Sequence, residues 1–141
     1  ARFVGREGMT TDDLKDAVVG VQRGTVHYDY MRGEHPAVDV KLYTSQDEAF
    51  LDLAAGRVDA VMGESIATAN GFLETDDGKG FAFFGPPISV PKYHGIGAGV
   101  AVRQGEEDLR NAFSHAIGEL RANGTYQRIN QKYFDFDIFG G

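Results

Sequence analysis

The chain has 141 residues, of which 42% are hydrophobic and 25% are charged, and its formal net charge at pH 7 is -7. This composition is typical of a soluble globular protein, and no apolar run in the sequence is long enough to cross a bilayer. The negative charge and the lack of a Lys/Arg run argue against wholesale nucleic-acid binding, and the absence of Cys excludes disulfides and thiolate metal sites. Residues 1–6 contain no long apolar stretch, so we expect any export signal to have been removed or to lie outside this sequence.

The first predicted strand is followed directly by a helix. Residues 17–22 are apolar and β-branched, which is typical of a strand that is buried on both faces. Gly24 permits a tight exit from this strand. Thr25 then predicts the N-cap of a helix that ends near Gly33, before Pro36.

A second strand and helix follow the same plan. The strand is predicted at residues 38–43. Ser45 and Glu48 have the spacing of a capping box, in which each side chain accepts a hydrogen bond from the other residue's backbone. The helix that they begin is expected to end at Gly56, because glycine readily takes the left-handed conformation that closes a helix.

The alternation continues with a strand at residues 58–62, a helix and a fourth strand at residues 81–84. The helix has an apolar stripe at spacings of three and four, formed by Ile66, Ala69 and Leu73. Alternating strands and helices predict an α/β fold with a parallel sheet and right-handed crossovers. We expect the first three strands in the order 2-1-3, which leaves a crevice where the connections diverge.

The character of the sequence changes after the fourth strand. The glycine-rich residues 95–99 resemble a phosphate-binding loop, but they precede an apolar strand predicted at 100–102 and not a helix, which favours a glycine-rich crossing segment. Residues 106–122 form the clearest predicted helix, and Thr125 begins a shorter one. Aromatic residues dominate positions 134–139, and such a tail normally buries its rings.

Two strand-to-helix turns offer complementary polar groups. The turn at Thr25 presents a helix N-terminus, whose free N–H groups and positive dipole end favour a carboxylate. The turn at Glu64 presents an anionic side chain, which favours an ammonium group, although a carboxylate at this position also suits a helix cap. Side by side, the two turns predict a site for an α-amino acid.

Four stretches of sequence resemble one known family. They read GVQRGTVHYDY, KLYTSQDEAFLDLAAGRVDAVMGES, GKGFAFFGPP and LRANGTYQRINQKYFDFDIFG. In this order they are similar to the periplasmic substrate-binding proteins of polar amino-acid ABC importers, which bind lysine, arginine, ornithine, histidine, glutamine or opines. The resemblance covers nearly the whole chain, and it implies a type II periplasmic-binding-protein fold in which two α/β lobes close on the ligand.

The resemblance also implies how this chain divides. Residues 1–8 would end lobe one and enter the first crossing strand, residues 9–92 would form the complete second lobe, and residues 93–141 would return through a second crossing strand to C-terminal helices of lobe one. The N-terminal part of lobe one would be absent, so we expect half of a binding site. We also expect an exposed apolar surface, and hence dimerisation or swapping, at side chains that would face the missing part: Leu109, Phe113, Ile117, Tyr126 and Phe134.

The ligand-binding positions carry over residue by residue. Thr25 and Val26 match the pair that receives the ligand carboxylate, although relatives usually have a small polar residue where this chain has Val26. His27 matches a polar rim position, and Gln22 matches a pocket-lining strand end. Glu64 matches an Asp that accepts hydrogen bonds from the α-ammonium; the exchange keeps the charge and adds a methylene.

The implied function is a periplasmic amino-acid receptor without cofactor or metal that delivers its ligand to an inner-membrane permease. The sequence has no recognisable nucleophilic triad, HExxH motif or Walker motif, so we expect no enzymatic activity. Two alternatives stay open. One is an enzyme similar to cyclohexadienyl dehydratases, with Glu64 as general acid. The other is the ligand-sensing domain of a membrane receptor.

Overall fold

The computed structural model describes residues 1–95, 97, 99–134 and 137–139. The chain divides into two compact units, residues 1–95 and residues 96–141. The first unit contains a five-stranded sheet, and the second contains two helices that follow an irregular segment. Among the described residues, no helix is both long and apolar enough to span a membrane.

The sheet of the first unit has the strand order β3-β2-β4-β1-β5. β2 pairs in parallel with both β3 and β4, so the 2-1-3 order that we expected for the first three predicted strands is confirmed. The strands are β1 Arg2–Arg6, β2 Val18–Gln22, β3 Asp39–Tyr43, β4 Ala60–Gly63 and β5 Phe81–Phe84.

Strand β1, which precedes the predicted alternation of strands and helices, makes this parallel-rich sheet mixed. β1 runs antiparallel to both of its neighbours, with Arg2 opposite Gly63 of β4 and Arg6 opposite Phe81 of β5. The other four strands run in one direction, since β2 is parallel to β3 and β4 and β1 is antiparallel to both β4 and β5, so the parallel arrangement expected for the four predicted strands is confirmed. Parallel strands still form the part of the sheet that holds the candidate site.

Helices cover both faces of the sheet. Neighbouring residues of β4 point to opposite faces, and Met62 belongs to one buried cluster with Met31 while Val61 belongs to another with Leu53 and Phe72. The first unit also has short 3-10 segments at Thr11–Asp16 and Asp76–Gly78 and a π-helical turn at Ala69–Leu73. Its α-helices are α1 Val26–Glu34, α2 Gln46–Ala54, α3 Ser65–Thr68 and α4 Pro91–His94.

The capping box predicted for α2 is confirmed. The Glu48 N–H donates to Ser45 Oγ at 3.2 Å, and the Ser45 N–H donates to Glu48 Oε2 at 3.4 Å. Gly56, two residues after the end of α2, has a φ of 70°. This left-handed conformation favours glycine and lets the chain turn towards β4.

A charged network ties α2 to β3. The Asp52 carboxylate accepts hydrogen bonds from Lys41 Nζ at 2.7 Å, from the Tyr43 hydroxyl at 2.6 Å and from Arg57 Nε at 2.7 Å. Hydrogen bonds from Arg57, Lys41 and Tyr43 hold the pKa of Asp52 well below its usual range. The network therefore keeps Asp52 ionised and fixes the outer face of α2 against the edge strand.

The second unit contains α5 Glu107–Ala122 and α6 Thr125–Asn130. The strand expected at residues 100–102 is not formed: residues 99–103 have no regular secondary structure. The described part of this unit contains no strand with which they could pair. Tyr133 lies beyond the end of α6 and is 72% exposed. Asp135 and Phe136 of the aromatic tail lie outside the described residues.

Helix α5 exposes the apolar stripe that its sequence predicts. No residue of this helix is buried, and Leu109 and Phe113 are 45% and 42% exposed. Ile117 and Leu120 continue the same stripe, with exposed fractions of 37% and 40%. An amphipathic helix normally covers this stripe with another surface.

Candidate functional site

The candidate site lies where the two central parallel strands end. β2 and β4 are adjacent and in register, with Val21 opposite Met62, so Gln22 and Gly63 end their strands at the same edge of the sheet. α1 begins shortly after Gln22, and α3 begins shortly after Gly63. The structure thus brings the two predicted turns together, as the strand order requires.

The connections that follow these strands diverge to opposite faces. Met31 of α1 is packed with Val21 on one face, and Phe72, which follows α3, is packed with Val61 on the other. In open α/β sheets, a crevice for small ligands forms at such a point of divergence. The sequence prediction of this crevice therefore has its structural basis in the order of β3, β2 and β4.

Thr25 occupies the N-cap position of α1, but its side chain does not cap the helix. The hydroxyl donates a hydrogen bond to the Gln22 carbonyl at 2.7 Å, which stabilises the turn and not the helix end. The expected cap bond is therefore absent from this described turn. The first N–H groups of a helix have no acceptor within it, so those of Val26 and His27 remain donors for an anion at this edge.

Glu64 caps α3, as one of its two interpretations predicts. Its Oε2 atom accepts a hydrogen bond from the Ala67 N–H at 2.9 Å, and the side chain is exposed at the edge of the sheet. A carboxylate has two oxygens and about four acceptor sites. One cap bond leaves acceptor capacity for an ammonium group, so the two roles are compatible.

The Gln22 side chain forms a hydrogen bond with the backbone. Its Nε2 atom donates to the Thr44 carbonyl at 3.3 Å, which links the end of β2 to the segment after β3. The Arg23 N–H adds a bond to the Tyr43 carbonyl at 2.9 Å. In this structure the Gln22 side chain therefore stabilises the loop after β3.

His27 turns its ring towards the interior. Its Nδ1 atom is buried and has no hydrogen-bond partner among the described residues, and its ring centroid lies 5.9 Å from that of His94. Burial lowers the pKa of His27 to about 4, the nearby N-terminal ammonium and His94 act in the same direction, and Glu64 opposes them. His27 is therefore neutral at pH 7, and its backbone N–H is the group that it offers to an anion.

Arg2 is a charged residue at this edge that the sequence analysis did not select. It lies opposite Gly63 in the β1–β4 pair, and its guanidinium carbon is 4.5 Å from the centroid of the Phe83 ring. Its Nη2 atom donates to the Gly85 carbonyl at 3.3 Å. Residues 2–6 form too short a stretch for their sequence pattern to distinguish a strand from an extended linker.

The opposite edge of the sheet has a cleft of about 350 Å³. Asp59, one of its lining residues, accepts a hydrogen bond from the Val18 N–H at 2.8 Å, which links the carboxylate to the start of β2. Within the described ranges, no group of three or more His, Cys, Asp or Glu side chains is arranged to hold a metal ion. The two turns at Thr25 and Glu64, where the connections after β2 and β4 diverge, therefore remain the candidate site.

Comparison with known proteins identifies the family and the fold of this chain. The family model for bacterial extracellular solute-binding proteins, family 3, matches residues 33–136. The chain belongs to this family. The fold predicted from the sequence, a periplasmic-binding-protein-like α/β lobe followed by further helices, is confirmed by the family's solved structures.

Relatives of this family 3 protein are named for the amino acids that they bind. The chain is 49% identical to the L-arginine-binding protein of Pseudomonas aeruginosa, over 99% of this chain and 56% of that protein. It is 43% identical to the lysine/arginine/ornithine-binding periplasmic protein of Escherichia coli, over 93% of this chain and 51% of that protein. The chain thus spans about half the length of the curated relatives that it matches.

A solved structure gives the same result for the fold. An arginine-specific periplasmic binding protein of Salmonella typhimurium matches with a TM-score of 0.72 and 30% identity, over 94% of this chain and 59% of that one. An ancestral arginine-binding protein bound to arginine matches with a TM-score of 0.71 and 31% identity. The relatives named here are binding proteins and not enzymes.

Proposed function

We propose that this chain comprises the complete second lobe, the crossing strands and the C-terminal helices of lobe one of a periplasmic amino-acid receptor that delivers its ligand to an inner-membrane ABC permease. The observation that carries the proposal is the adjacency of the Thr25 and Glu64 turns at the ends of β2 and β4. In this proposal residues 9–92 form the second lobe, and residues 93–141 return to lobe one.

The two turns define the ligand by its charged groups. The N–H groups of Val26 and His27, at the positive end of α1, donate hydrogen bonds to the α-carboxylate. The free oxygen sites of the Glu64 carboxylate accept hydrogen bonds from the α-ammonium. The hydrogen bond from the Thr25 hydroxyl to the Gln22 carbonyl stabilises the turn between β2 and α1. An L-α-amino acid carries both groups on one carbon and so spans the crevice.

We propose a cationic amino acid as the ligand, with L-arginine as the first candidate. The relatives bind, by their names, arginine, lysine, ornithine or histidine. The negative net charge of this chain also favours the approach of a cation. Since the chain spans about half of its relatives, it provides one side of the site, and we expect it to bind alone with a dissociation constant in the millimolar range.

Titration of the isotope-labelled chain with L-arginine, followed by NMR, tests this function. We expect saturable shifts of the backbone amides of Val26, His27 and Ala67, since these N–H groups lie at the two turns. Shifts confined to other regions, or no saturable shift, would contradict the proposal. Addition of prephenate to the same sample tests the enzymatic alternative: we expect no loss of prephenate, and its conversion would instead assign Glu64 a catalytic role.

We further propose that the 141-residue chain self-associates through the apolar stripe of α5. The stripe consists of large side chains that are 37–45% exposed, and a second copy offers the same stripe, which a two-fold axis brings into contact with itself. A second copy is therefore the occupant that we propose.

Sedimentation equilibrium tests this association. We expect the chain to be dimeric at micromolar concentration and Phe113→Glu to be monomeric, because the substitution places a charge in the middle of the stripe. Asn111→Glu is the control, since two residues along a helix lead to the opposite side, and it should remain dimeric. A monomeric parent chain, or equal dissociation in both variants, would contradict the proposal.

A further inference from the structure

Thr68, at the end of α3, is buried with an exposed fraction of 0% and makes two side-chain hydrogen bonds. Its hydroxyl donates to the Glu64 carbonyl at 2.7 Å and accepts from Gln46 Nε2 at 2.9 Å. Gln46, Thr68 and the Glu64 carbonyl thus form a hydrogen-bonded relay, which connects the first residue of α2 to the backbone of Glu64 through the end of α3.

The relay depends on a missing side chain at Gly63. A Cβ atom built there would overlap Gln46 Nε2 and lie 3.1 Å from Thr68 Oγ1. Gly63 is the last residue of β4 and directly precedes Glu64. The glycine therefore leaves space for the Gln46 amide to cross β4 and reach Thr68.

Glu64 is fixed at both its backbone and its side chain. Its carbonyl accepts from the Thr68 N–H at 3.0 Å as well as from the Thr68 hydroxyl, and its Oε2 accepts from the Ala67 N–H. Thr68 is buried, and its hydroxyl is the acceptor for Gln46 Nε2, so loss of the hydroxyl would leave that N–H group without this partner. A carboxylate that is held in one position does not have to be ordered when a ligand binds.

We propose that Thr68 is a positioning residue for the ligand's ammonium group, acting through Glu64 with Gln46 as its anchor. This inference rests on the proposed function, because it assumes that Glu64 accepts the ammonium. Thr68 does not itself touch the ligand. Its contribution is to hold the turn so that the free carboxylate oxygen of Glu64 stays at the edge where β2 and β4 end.

Thr68→Val tests the proposal, since valine keeps the shape of threonine and removes the hydroxyl. We expect the dissociation constant of the full chain for L-arginine, measured by NMR titration, to rise about tenfold, a loss of one charge-assisted contact. The dissociation constant for deaminoarginine, which lacks the α-amino group, should stay unchanged. Thr68→Ser keeps the hydroxyl and should restore the parent affinity.

Thr75→Val is the matched control. The Thr75 hydroxyl also donates to a backbone carbonyl, that of Phe72 at 2.7 Å, but it lies beyond the π-helical turn and has no bond to the Glu64 turn among the described residues. We expect Thr75→Val to leave both dissociation constants unchanged. Should Thr68→Val fail to fold, Gln46→Met breaks the relay at its other end and should reproduce the selective loss.

Two results separate failure of this inference from failure of the proposed function. An equal change for L-arginine and deaminoarginine in Thr68→Val, or no change for either, would overturn the positioning role while leaving the Glu64 site intact. Equal affinity of the parent chain for both ligands would show that Glu64 does not bind an ammonium, and the proposed function would fail together with this inference.

Discussion

Glu64→Ala is expected to weaken the binding of L-arginine by about 2 kcal/mol or more, which corresponds to about a 30-fold rise in the dissociation constant. The reason is that the ammonium group would lose its counter-charge at the end of β4. The same variant also loses the cap bond to the Ala67 N–H, at a cost of about 1 kcal/mol in the free energy of unfolding. NMR titration and urea unfolding measure the two effects separately.

Glu64→Gln separates the charge from the cap. Glutamine retains an oxygen that can accept from the Ala67 N–H, so the unfolding free energy should stay close to that of the parent chain, while affinity should fall as it does in Glu64→Ala. Asp13→Ala is the control for a lost capping carboxylate, since the Asp13 carboxylate accepts a hydrogen bond from the Thr10 N–H at 2.7 Å. Asp13 precedes β2 and so lies at the edge of the sheet opposite to the candidate site. Parent-like affinity in Glu64→Gln would assign Glu64 to the cap alone.

Leu53→Ala should have the largest effect on stability. Leu53 of α2 is 1% exposed and belongs to the buried cluster that includes Val61 of β4 and Phe72. Removing its side chain leaves a cavity, and such substitutions cost about 2–5 kcal/mol. Urea unfolding followed by circular dichroism measures this loss, because the helices of the first unit contribute most of the signal that disappears.

Leu51→Ala provides a matched comparison on the same helix. Leu51 is 60% exposed, two residues from Leu53, and has the same helix propensity. We expect Leu51→Ala to change the free energy of unfolding by about 0.5 kcal/mol or less. Equal losses for the two variants would show that α2 does not pack on the sheet by the face that contains Leu53.

The sequence predicted the parts of the fold that depend on local pattern. The spacing of Ser45 and Glu48 identified the start of α2, and the apolar, valine-rich residues 17–22 identified the buried central strand. Four predicted strands alternating with three helices then left few possible topologies, so the position of β2 between β3 and β4 could also be predicted. Adjacency of the two turns follows from this order.

The sequence did not predict features that depend on distant contacts. β1 is five residues long, and its place between β4 and β5 is set by pairing with residues about 60–80 positions away. The Thr25 hydroxyl had two possible partners, the helix end and the Gln22 carbonyl, and only the turn geometry decides between them. Each of these outcomes is decided by tertiary structure and not by spacing.

The candidate site shows the same division. Glu64 could be selected because a carboxylate after a buried strand is conspicuous, but the inward turn of His27 depends on His94, which is 67 residues away. Thr68 gives no signal of its own, since an isolated threonine in a short helix has several ordinary roles. Its bond with Gln46 depends on the tertiary structure, which brings the start of α2 to the end of α3.

Two analogues of L-arginine, each of which lacks one charged group, test directly whether the turns at Thr25 and Glu64 form the amino-acid site. In NMR titrations of the chain, agmatine, which lacks the α-carboxylate, should shift the amides around Glu64 and Ala67 and leave those of Val26 and His27 in place. Deaminoarginine should give the reverse pattern, because each turn recognises one group. If both analogues shift the same amides, or neither shifts these two turns, the two-turn site for an amino acid is wrong.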